Sequence, residues 1–417
     1  MSFTSFIAQL GAANVGTKPP EGTLVYSSLG SSYVNEADGE YGFSVATNED
    51  GTVIAAGVPG YDFSAEIDQG AVELHRYNGT TYSIEDYVYH VAGATGDNDK
   101  QGYSVDLDSS GTVLAFGAPN QAFGGEIYVS RYDGTSPWQT PATDLQRAVT
   151  ELSAFYGIVT VISGDGNTIA ASAPNQDNGL NSNGGIVYIW SWDGSSWTEQ
   201  AQLFRNLSDS ADFGEYGVGI SEDGNTVAVG TRADDVDGGD SGSVYIFTRS
   251  GTTWTEAYRI SYPGTPVDNQ YFGYRVALSD DGNTVVTNDL SNDEVHVFTR
   301  DNEAGTSWTH LQTLTSSGTP YSYGDALSLS KDGKVLVVGD SSEAVSPNTF
   351  VGVVYIYVKQ GNTYTEHLRI PNPEVQQNSK FGYSVDISKD GSTLVVGAPY
   401  QHFTSTTTDF GKIFVYK

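Results

Sequence analysis

The chain has 417 residues, no cysteine, and 51 acidic against 19 basic side chains, which gives a formal net charge of −32. Such a charge repels nucleic-acid phosphates, and the missing cysteines exclude disulfides, thiolate nucleophiles and cysteine-ligated metal centres. No apolar run approaches the roughly 18 residues of a membrane-spanning helix. We therefore expect neither nucleic-acid binding nor membrane insertion.

The first element, residues 1–21, is predicted to be a docking arm. Its apolar side chains recur at i, i+3, i+4 and i+7, on one face of a short amphipathic helix: Phe3, Phe6, Ile7 and Leu10. Residues 16–20 then predict a stiff, extended connector. A helix this short is marginal alone, so we expect it to dock, either on the rest of its own chain or on other subunits of an assembly.

The same N-terminal segment does not have the pattern of a Sec signal peptide, because it has no basic region and only a short apolar stretch. The expectation is that the chain stays in the cell that makes it, leaves by another route, or leaves inside a larger particle.

Residues 22–417 contain one unit seven times. The clearest marker is a turn glycine, 51 to 60 residues from the next, at Gly51, Gly111, Gly166, Gly224, Gly282, Gly333 and Gly391. Each unit begins with an aromatic-Gly pair and an alternating strand, followed by the turn and an apolar strand that ends near Gly-x-Pro. A loop, a third strand and, in complete copies, a fourth strand follow. The pattern predicts four short strands joined by hairpins.

Seven copies of a four-stranded unit predict an all-β fold, a seven-bladed β-propeller of four-stranded antiparallel blades. The seventh unit stops after its third strand, at Lys417, and the missing fourth strand occurs at the other end of the chain, at 23–27. We predict that this N-terminal strand pairs with the last blade and closes the ring, with Val25 packed inside it.

The segment FGYSVDISKDGSTLVVGAP, residues 381–399, resembles FG-GAP repeats, the propeller repeats of integrin α-subunits and of many bacterial and viral surface proteins. The bacterial type, with SxDGNT, is the better match, and the resemblance covers about 22–417. The Gly-x-Pro element has drifted in three copies, at 230–232, 288–290 and 339–341.

The resemblance implies calcium, because integrin-type repeats often hold Ca²⁺ in a D-x-D-x-D-G loop between the first two strands. The matching stretches, such as 221–225, are too short and supply too few carboxylates, so we interpret them as turns. Other calcium candidates are the segment 97–99 and a loop of blade four with four candidate ligands: Asp234, Asp235, Asp237 and Asp240. A solvated acidic loop without metal is the alternative, and no other cofactor is predicted.

No catalytic motif stands out. None of the six histidines forms a metal-binding pair, and the serine in 239–242 has no predicted partners for a catalytic triad. We therefore predict that the chain is not an enzyme. Aromatic residues begin the fourth strands and are predicted to pack between outer strands rather than to bind sugar: Tyr82, Trp138, Trp197, Trp254, Trp308 and Tyr364.

Together these features predict a recognition or scaffold protein, a structural or attachment component of a larger surface assembly such as a virus or phage particle. Its partners would be other subunits, bound through the arm, and a cell-surface glycan or protein. The latter would bind the face that carries the loops between blades and between second and third strands, because length varies most there. Two alternatives are a secreted or surface bacterial adhesin or lectin, with or without calcium, and a polysaccharide-degrading enzyme on a propeller scaffold.

Overall fold

The computed structural model describes residues 20–29, 39–62, 67–90, 98–121, 124–135, 137–138, 143–145, 151–179, 181–205, 212–300, 306–345, 348, 350–402 and 410–417. The predicted arm helix lies outside these residues. Within them the chain forms strands and turns, without helices. The described part contains no helix with the length and hydropathy needed to cross a membrane.

The strands form seven separate sheets of four, and in each sheet the neighbours are antiparallel. The first three blades are β2 (Val45–Thr47), β3 (Val53–Val58), β4 (Ala71–Tyr77) and β5 (Tyr82–Val88); β6 (Ser104–Leu107), β7 (Val113–Ala118), β8 (Glu126–Arg131) and β9 (Thr143–Asp144); and β10 (Thr160–Ile162), β11 (Thr168–Ala173), β12 (Ile186–Trp192) and β13 (Trp197–Leu203).

The next three blades repeat this order of inner to outer strand. They are β14 (Val218–Ile220), β15 (Thr226–Thr231), β16 (Ser243–Ser250) and β17 (Thr253–Ile260); β18 (Phe272–Leu278), β19 (Thr284–Asp289), β20 (Glu294–Arg300) and β21 (Trp308–Thr315); and β22 (Tyr323–Leu329), β23 (Val335–Asp340), β24 (Val353–Gln360) and β25 (Thr363–Pro371).

The seventh blade confirms the predicted closure of the ring. It consists of β26 (Ser384–Ile387), β27 (Leu394–Ala398), β28 (Lys412–Tyr416) and the N-terminal strand β1 (Leu24–Ser28). Strand β1 pairs antiparallel with β28, and Thr23 and Lys417 exchange two backbone hydrogen bonds of 3.2 and 3.0 Å. The two ends of the chain therefore share one sheet, and the seven-bladed fold predicted from the repeats is confirmed.

One detail of the closing strand differs from the prediction. Val25 is 42% exposed and lies at an irregularity in the β1–β28 register, so it is not packed inside the blade. Tyr26 and Ser28 are the half-buried residues of β1, and the Tyr26 ring packs on Tyr82 and His75 of blade 1. The aromatic anchor of the strand is therefore Tyr26, since Leu24, Val25 and Ser27 are exposed.

The hydrophobic core is divided into seven clusters, each lying between two adjacent blades. The second strands are buried along their whole length, since each is covered by a blade on both sides. The last cluster joins blades 7 and 1 through Val395, Ile413 and Tyr41. Burial of apolar surface therefore holds each blade against its two neighbours.

The Asp-Gly turns form a second ring of contacts between blades. All seven turn glycines have φ between 62° and 73°, as the hairpin prediction requires. One backbone hydrogen bond of 2.9–3.1 Å runs from each blade to the next, and the seven donor–acceptor pairs are Glu49–Ser109, Ser109–Gly164, Asp165–Glu222, Glu222–Asp280, Asp281–Lys331, Lys331–Lys389 and Asp390–Glu49. We call the side of the disc that carries these turns the turn face, and the opposite side the loop face.

Candidate site at the mouth of the central channel

The seven inner strands surround a channel that contains two cavities. The cavity toward the loop face has a volume of about 410 Å³ and the one toward the turn face about 200 Å³. Val45, Val105, Val161, Val276 and Leu327 line both, and therefore form an apolar waist between them. The larger cavity has the volume of a small-ligand pocket, so the residues of its wall are candidates for a functional site.

A collar of seven side chains surrounds the larger cavity, one from each blade. In six blades it is the residue after the first glycine of the repeat, and in blade 4, which has one extra residue, it is Tyr216, two positions after Gly214. The members of the collar are Phe43, Tyr103, Ile158, Tyr216, Tyr274, Asp325 and Tyr383. Neighbouring rings pack against each other, with centroids 4.6 Å apart for Phe43 and Tyr103 and 4.8 Å apart for Tyr216 and Tyr274. The collar is therefore a rigid aromatic wall, interrupted by Ile158 and by the carboxylate of Asp325.

Arg275 extends into this cavity from the next position along β18. Its guanidinium carbon lies 5.2 and 5.4 Å from the ring centres of Tyr274 and Tyr216, so aromatic faces hold the cation. Its Nη1 donates a long hydrogen bond of 3.4 Å to the Tyr216 carbonyl, and its Nε has no hydrogen-bond partner among the described residues. Within the same part of the chain, no carboxylate oxygen lies within ion-pair distance of the guanidinium, so most of its donor capacity is available.

The other six blades carry a small or apolar residue where blade 5 has Arg275. In blades 1, 2 and 7 the residue is a serine whose hydroxyl donates, at 2.8 Å, to a carbonyl of the following blade. Arg275 instead receives support from blade 5 itself, since Asn288 Oδ1 accepts its backbone N–H at 2.7 Å. Asn288 replaces the first glycine of Gly-x-Pro, so the drifted motif positions the arginine.

Asp325 is the one carboxylate of the collar. Burial raises its pKa, against the lowering effect of the Arg275 and Lys380 charges. Behind it lies the fully buried Asp340, whose pKa is raised to about 7 by burial and by the neighbouring Glu343 carboxylate. Glu343 is neutralised by Arg369, whose Nη2 lies 2.6 Å from its Oε1. The cavity therefore has one cation and one acid in direct contact with it, supported by further acids of blade 6.

Ion pairs between blades lie at the turn-face end of the channel. Lys389 Nζ lies 2.9 Å from Asp280 Oδ2, and burial of Lys389 is outweighed by the surrounding carboxylates, which raise its pKa to about 12. Lys331 bridges Glu49 and Glu222 at 3.4 and 3.2 Å. These ion pairs link side chains of different blades directly and therefore help to hold the ring together.

The structure also brings together a group that sequence reasoning missed, at the loop-face end of blade 5. Asp289, Glu294 and His296 each offer a ligand atom, and the three atoms lie within 4.8 Å of one another. In the part of the chain that the structure describes, this is the one such group of three. Burial, reinforced by the charge of His310, lowers the pKa of His296 to about 3, so the imidazole is neutral at pH 7.

The calcium ligands proposed from the sequence are engaged in separate contacts. Asp234 is buried and accepts a hydrogen bond of 2.8 Å from the Tyr245 hydroxyl, while Arg259 contacts both Asp234 and Asp237. Asp235 accepts the backbone N–H of Asp240 at 2.7 Å, which closes the loop. The structure therefore does not bring the four carboxylates to one point, and calcium binding there stays a prediction.

The Asp-Gly turns do not fit the calcium loop that the family resemblance implies. Asp223 illustrates the geometry: its Oδ1 accepts the Asn225 N–H at 3.0 Å and the Ser221 hydroxyl at 2.7 Å. One carboxylate per turn is therefore used to stabilise the turn, where a calcium site needs several converging oxygens.

Two other sequence-based predictions concern places away from the channel. The docking residues Phe3, Phe6, Ile7 and Leu10 lie outside the described residues. Of the six aromatic residues predicted to begin the fourth strands, five are buried, and Trp254 is half-buried and donates its Nε1–H to Gln200 at 2.9 Å. Trp138 lies before β9 and not at its start, which differs from the prediction.

Arg275, Asp325 and the blade-5 group had a signal in the sequence. Each is a departure from its repeat: an arginine where the other copies have small or apolar residues, and an aspartate where they have aromatic residues or isoleucine. Asp289 and Asp340 likewise stand in two of the three drifted Gly-x-Pro elements. A comparison of the copies for their exceptions would have indicated these residues.

Comparison with known proteins supports the repeat and the fold. The FG-GAP repeat model matches residues 197–247 and 365–416, and no curated protein matches the sequence. Among solved structures, the Pseudomonas aeruginosa periplasmic gluconolactonase PpgL is 12% identical with a TM-score of 0.54, covering 79% of this chain and 86% of its own. A putative 6-phosphogluconolactonase from Bacteroides uniformis is 14% identical with a TM-score of 0.52, over 79% and 87%. Kuenenia stuttgartiensis hydrazine synthase is 12% identical with a TM-score of 0.53, over 88% and 94%.

These neighbours correct one prediction. Two of them are named as lactonases, so the same fold carries catalysis in other proteins, and the prediction that the chain is not an enzyme, made from its lack of catalytic motifs, is wrong. At 12–14% identity the likeness concerns the fold alone. The chain is a seven-bladed β-propeller in which residues 197–247 and 365–416 match the FG-GAP repeat.

Proposed function

We propose that this protein is a recognition disc whose channel mouth binds a small carboxylate-bearing ligand, such as the acidic sugar of a cell-surface glycan. The observation that carries the proposal is Arg275, a cation held by aromatic rings in a cavity of about 410 Å³ with little of its donor capacity used. A guanidinium recognises a carboxylate through two parallel hydrogen bonds.

The rest of the cavity suits a sugar-sized acid. Tyrosine rings of the collar offer flat apolar surfaces and hydroxyl groups, and Asp325 offers an acceptor for ligand hydroxyl groups. The strong negative charge of the whole chain disfavours anions at a distance, so specificity for a carboxylate depends on direct contact with Arg275.

The test compares two sugars of equal size by isothermal titration calorimetry: glucuronate, which has a carboxylate, and glucose, which does not. We expect binding of glucuronate only. Arg275→Gln should weaken it by roughly 10- to 100-fold, because a charged hydrogen-bonded pair contributes about 1.5–3 kcal/mol. Arg249→Gln is the matched control, since Arg249 also stacks on an aromatic ring, Trp254, but at the outer edge of the disc. Equal binding of both sugars, or an unchanged affinity in Arg275→Gln, would contradict the proposal.

We further propose that the disc works within a larger surface assembly, such as a virus or phage particle, and that other subunits bind its N-terminal arm. The closed ring supports this role, because it gives a stiff body with little open sheet edge. Density-gradient sedimentation of native source material, with mass spectrometry to locate the chain, tests it. Sedimentation with large particles at fixed stoichiometry is expected, and a purely soluble monomer would contradict it.

A second candidate function is lactone hydrolysis at the same mouth. It is favoured by Asp325, a cavity carboxylate with a raised pKa beside a cation, which is an arrangement suited to acid–base catalysis. Hydrolysis of glucono-δ-lactone faster than the spontaneous rate, and its loss in Asp325→Asn, would support this function. A rate equal to the spontaneous one would remove the candidate and leave the binding proposal intact.

A further inference from the structure

The hairpin between β19 and β20 places three metal-ligating side chains at the loop-face end of blade 5. Asp289 ends β19 and pairs in register with Glu294, which begins β20, and His296 follows two residues later on the same side of the strand. His296 Nε2 lies 3.7 Å from Glu294 Oε2 and 4.0 Å from Asp289 Oδ2. We propose that these three residues bind one divalent transition-metal ion, such as Zn²⁺.

One imidazole nitrogen of His296 faces the two carboxylates and, within the described ranges, has no hydrogen-bond partner. His296 is 1% exposed, and its Nε2 has no hydrogen-bond partner among the described residues. The other ring nitrogen, Nδ1, lies 3.1 Å from Thr313 Oγ1. A buried polar atom without a partner is costly, and a metal ion between the imidazole and the two carboxylates would satisfy it.

The other blades show which contacts are made by the residue that stands at the position of His296. Strand pairing aligns His296 with a tyrosine in blades 2, 3, 4 and 6. In blades 2, 4 and 6 the hydroxyl donates a direct hydrogen bond of 2.5–2.8 Å to a carboxylate, in the pairs Tyr128–Glu126, Tyr245–Asp234 and Tyr355–Glu343. In blade 5 the direct contact is replaced by gaps of 3.7–4.0 Å between ligand atoms, which leaves room for an ion.

Surrounding residues hold the carboxylate of Asp289 in place. Its Oδ1 accepts hydrogen bonds of 2.8 and 2.9 Å from the backbone and hydroxyl of Ser291. Its Oδ2 accepts from Asn292 Nδ2 at 2.9 Å and from Gln270 Nε2. Bonds of this kind orient metal ligands in known sites. Tyr262 stands edge-on to the imidazole, with ring centres 5.3 Å apart, and limits its rotation.

The donor set selects the class of metal. Calcium and magnesium prefer oxygen ligands alone, whereas one imidazole with two carboxylates suits zinc and other first-row divalent ions. Ligand atoms about a tetrahedral zinc ion are roughly 3.4 Å apart, so the imidazole nitrogen, now 3.7 and 4.0 Å from the two carboxylate oxygens, must approach each of them by about 0.3–0.6 Å. Glu294 is partly exposed, so the remaining coordination position opens to solvent.

The test uses the full-length chain, stripped with a chelator and titrated with Zn²⁺ and with Co²⁺ by isothermal titration calorimetry. We expect one ion per chain, bound in the presence of excess Ca²⁺. Glu294→Gln should lower the affinity at least tenfold. His296→Tyr should abolish binding, and it should still fold because tyrosine occupies the aligned position in four other blades. Glu126→Gln is the matched control, since Glu126 begins the third strand of blade 2 as Glu294 does in blade 5, and its affinity should equal that of the wild type.

Two results would overturn the proposal. The first is a wild-type chain that binds neither Zn²⁺ nor Co²⁺, or whose binding Ca²⁺ abolishes. The second is a Glu294→Gln variant that binds Zn²⁺ with wild-type affinity. This result can be interpreted even if His296→Tyr does not fold.

Discussion

Gly397 lies near the end of β27, where blade 7 meets blade 1, and its replacement by alanine is expected to loosen the closing seam of the ring. A Cβ at this position would lie 2.0 Å from the carbonyl oxygen of Gly42 and 2.2 Å from the Ser384 hydroxyl. Ordinary contact begins at 3.4 Å. Backbone crowds the site on the side of blade 1, so the strain cannot be relieved by turning a side chain.

The expected cost follows from the contacts at this seam. Separating the backbones weakens the hydrogen bond that crosses the seam, from Ser384 Oγ to Gly42 O at 2.8 Å. Overpacking costs about 1–3 kcal/mol and a lost hydrogen bond about 0.5–1.5 kcal/mol. Gly397→Ala should therefore lower the free energy of unfolding by about 1.5–4.5 kcal/mol.

Urea unfolding followed by tryptophan fluorescence measures this change. Gly251→Ala is the control, because Gly251 has a φ of 64° and a Cβ added there would meet no atom within 4 Å, so alanine brings backbone strain alone. The control should cost about 1 kcal/mol. If Gly397→Ala were no more costly than Gly251→Ala, close approach of the backbones would not be what the repeat glycine provides.

Two further predictions concern the closing strand and the channel wall. Val25→Asp should change the free energy of unfolding by no more than about 0.5 kcal/mol, as at other surface positions, whereas Tyr26→Ala should cost about 2 kcal/mol through lost aromatic packing; equal costs in urea unfolding would contradict the assigned burial. Burial raises the pKa of Asp106 to about 7, above the value of about 3.9 in an unfolded chain, so the folded state holds this proton more tightly and stability falls as the pH rises from about 4 to 7. Asp106→Ser, which introduces the residue found as Ser328 at the aligned position of blade 6, should make the melting temperature less dependent on pH between about 4 and 7, and an unchanged slope would count against it.

The repeat glycines show why the fold could be predicted from the sequence. Gly397 and its equivalents Gly57, Gly117, Gly230 and Gly339 each meet a carbonyl oxygen of the next blade, at 1.9–2.1 Å from a Cβ position. Each contact joins two neighbouring copies, so the sequence must keep glycine in both. A constraint that recurs at five of the seven seams leaves a periodic mark, and periodicity can be read without coordinates.

The candidate sites could not be predicted from the repeat pattern, because their residues are departures from it. Arg275, Asp325 and the group of Asp289, Glu294 and His296 are single exceptions within a repeated pattern, and no spacing rule connects them. The ring brings Asp325 of blade 6 beside Arg275 of blade 5 because inner strands of adjacent blades converge on one channel. His296 meets Asp289 only through the register of one hairpin.

The number of blades, the turns and the strand that closes the ring could all be predicted from the residues alone, because each depends on local turn chemistry or on a contact that recurs along the chain. The folded ring was needed to see that Val25 faces solvent and Tyr26 packs, that the carboxylates of residues 234–240 make separate contacts, and that a cation lies in the aromatic mouth of the channel. These outcomes depend on which side chains come together in space. The repeat pattern cannot predict this for residues that depart from the repeat.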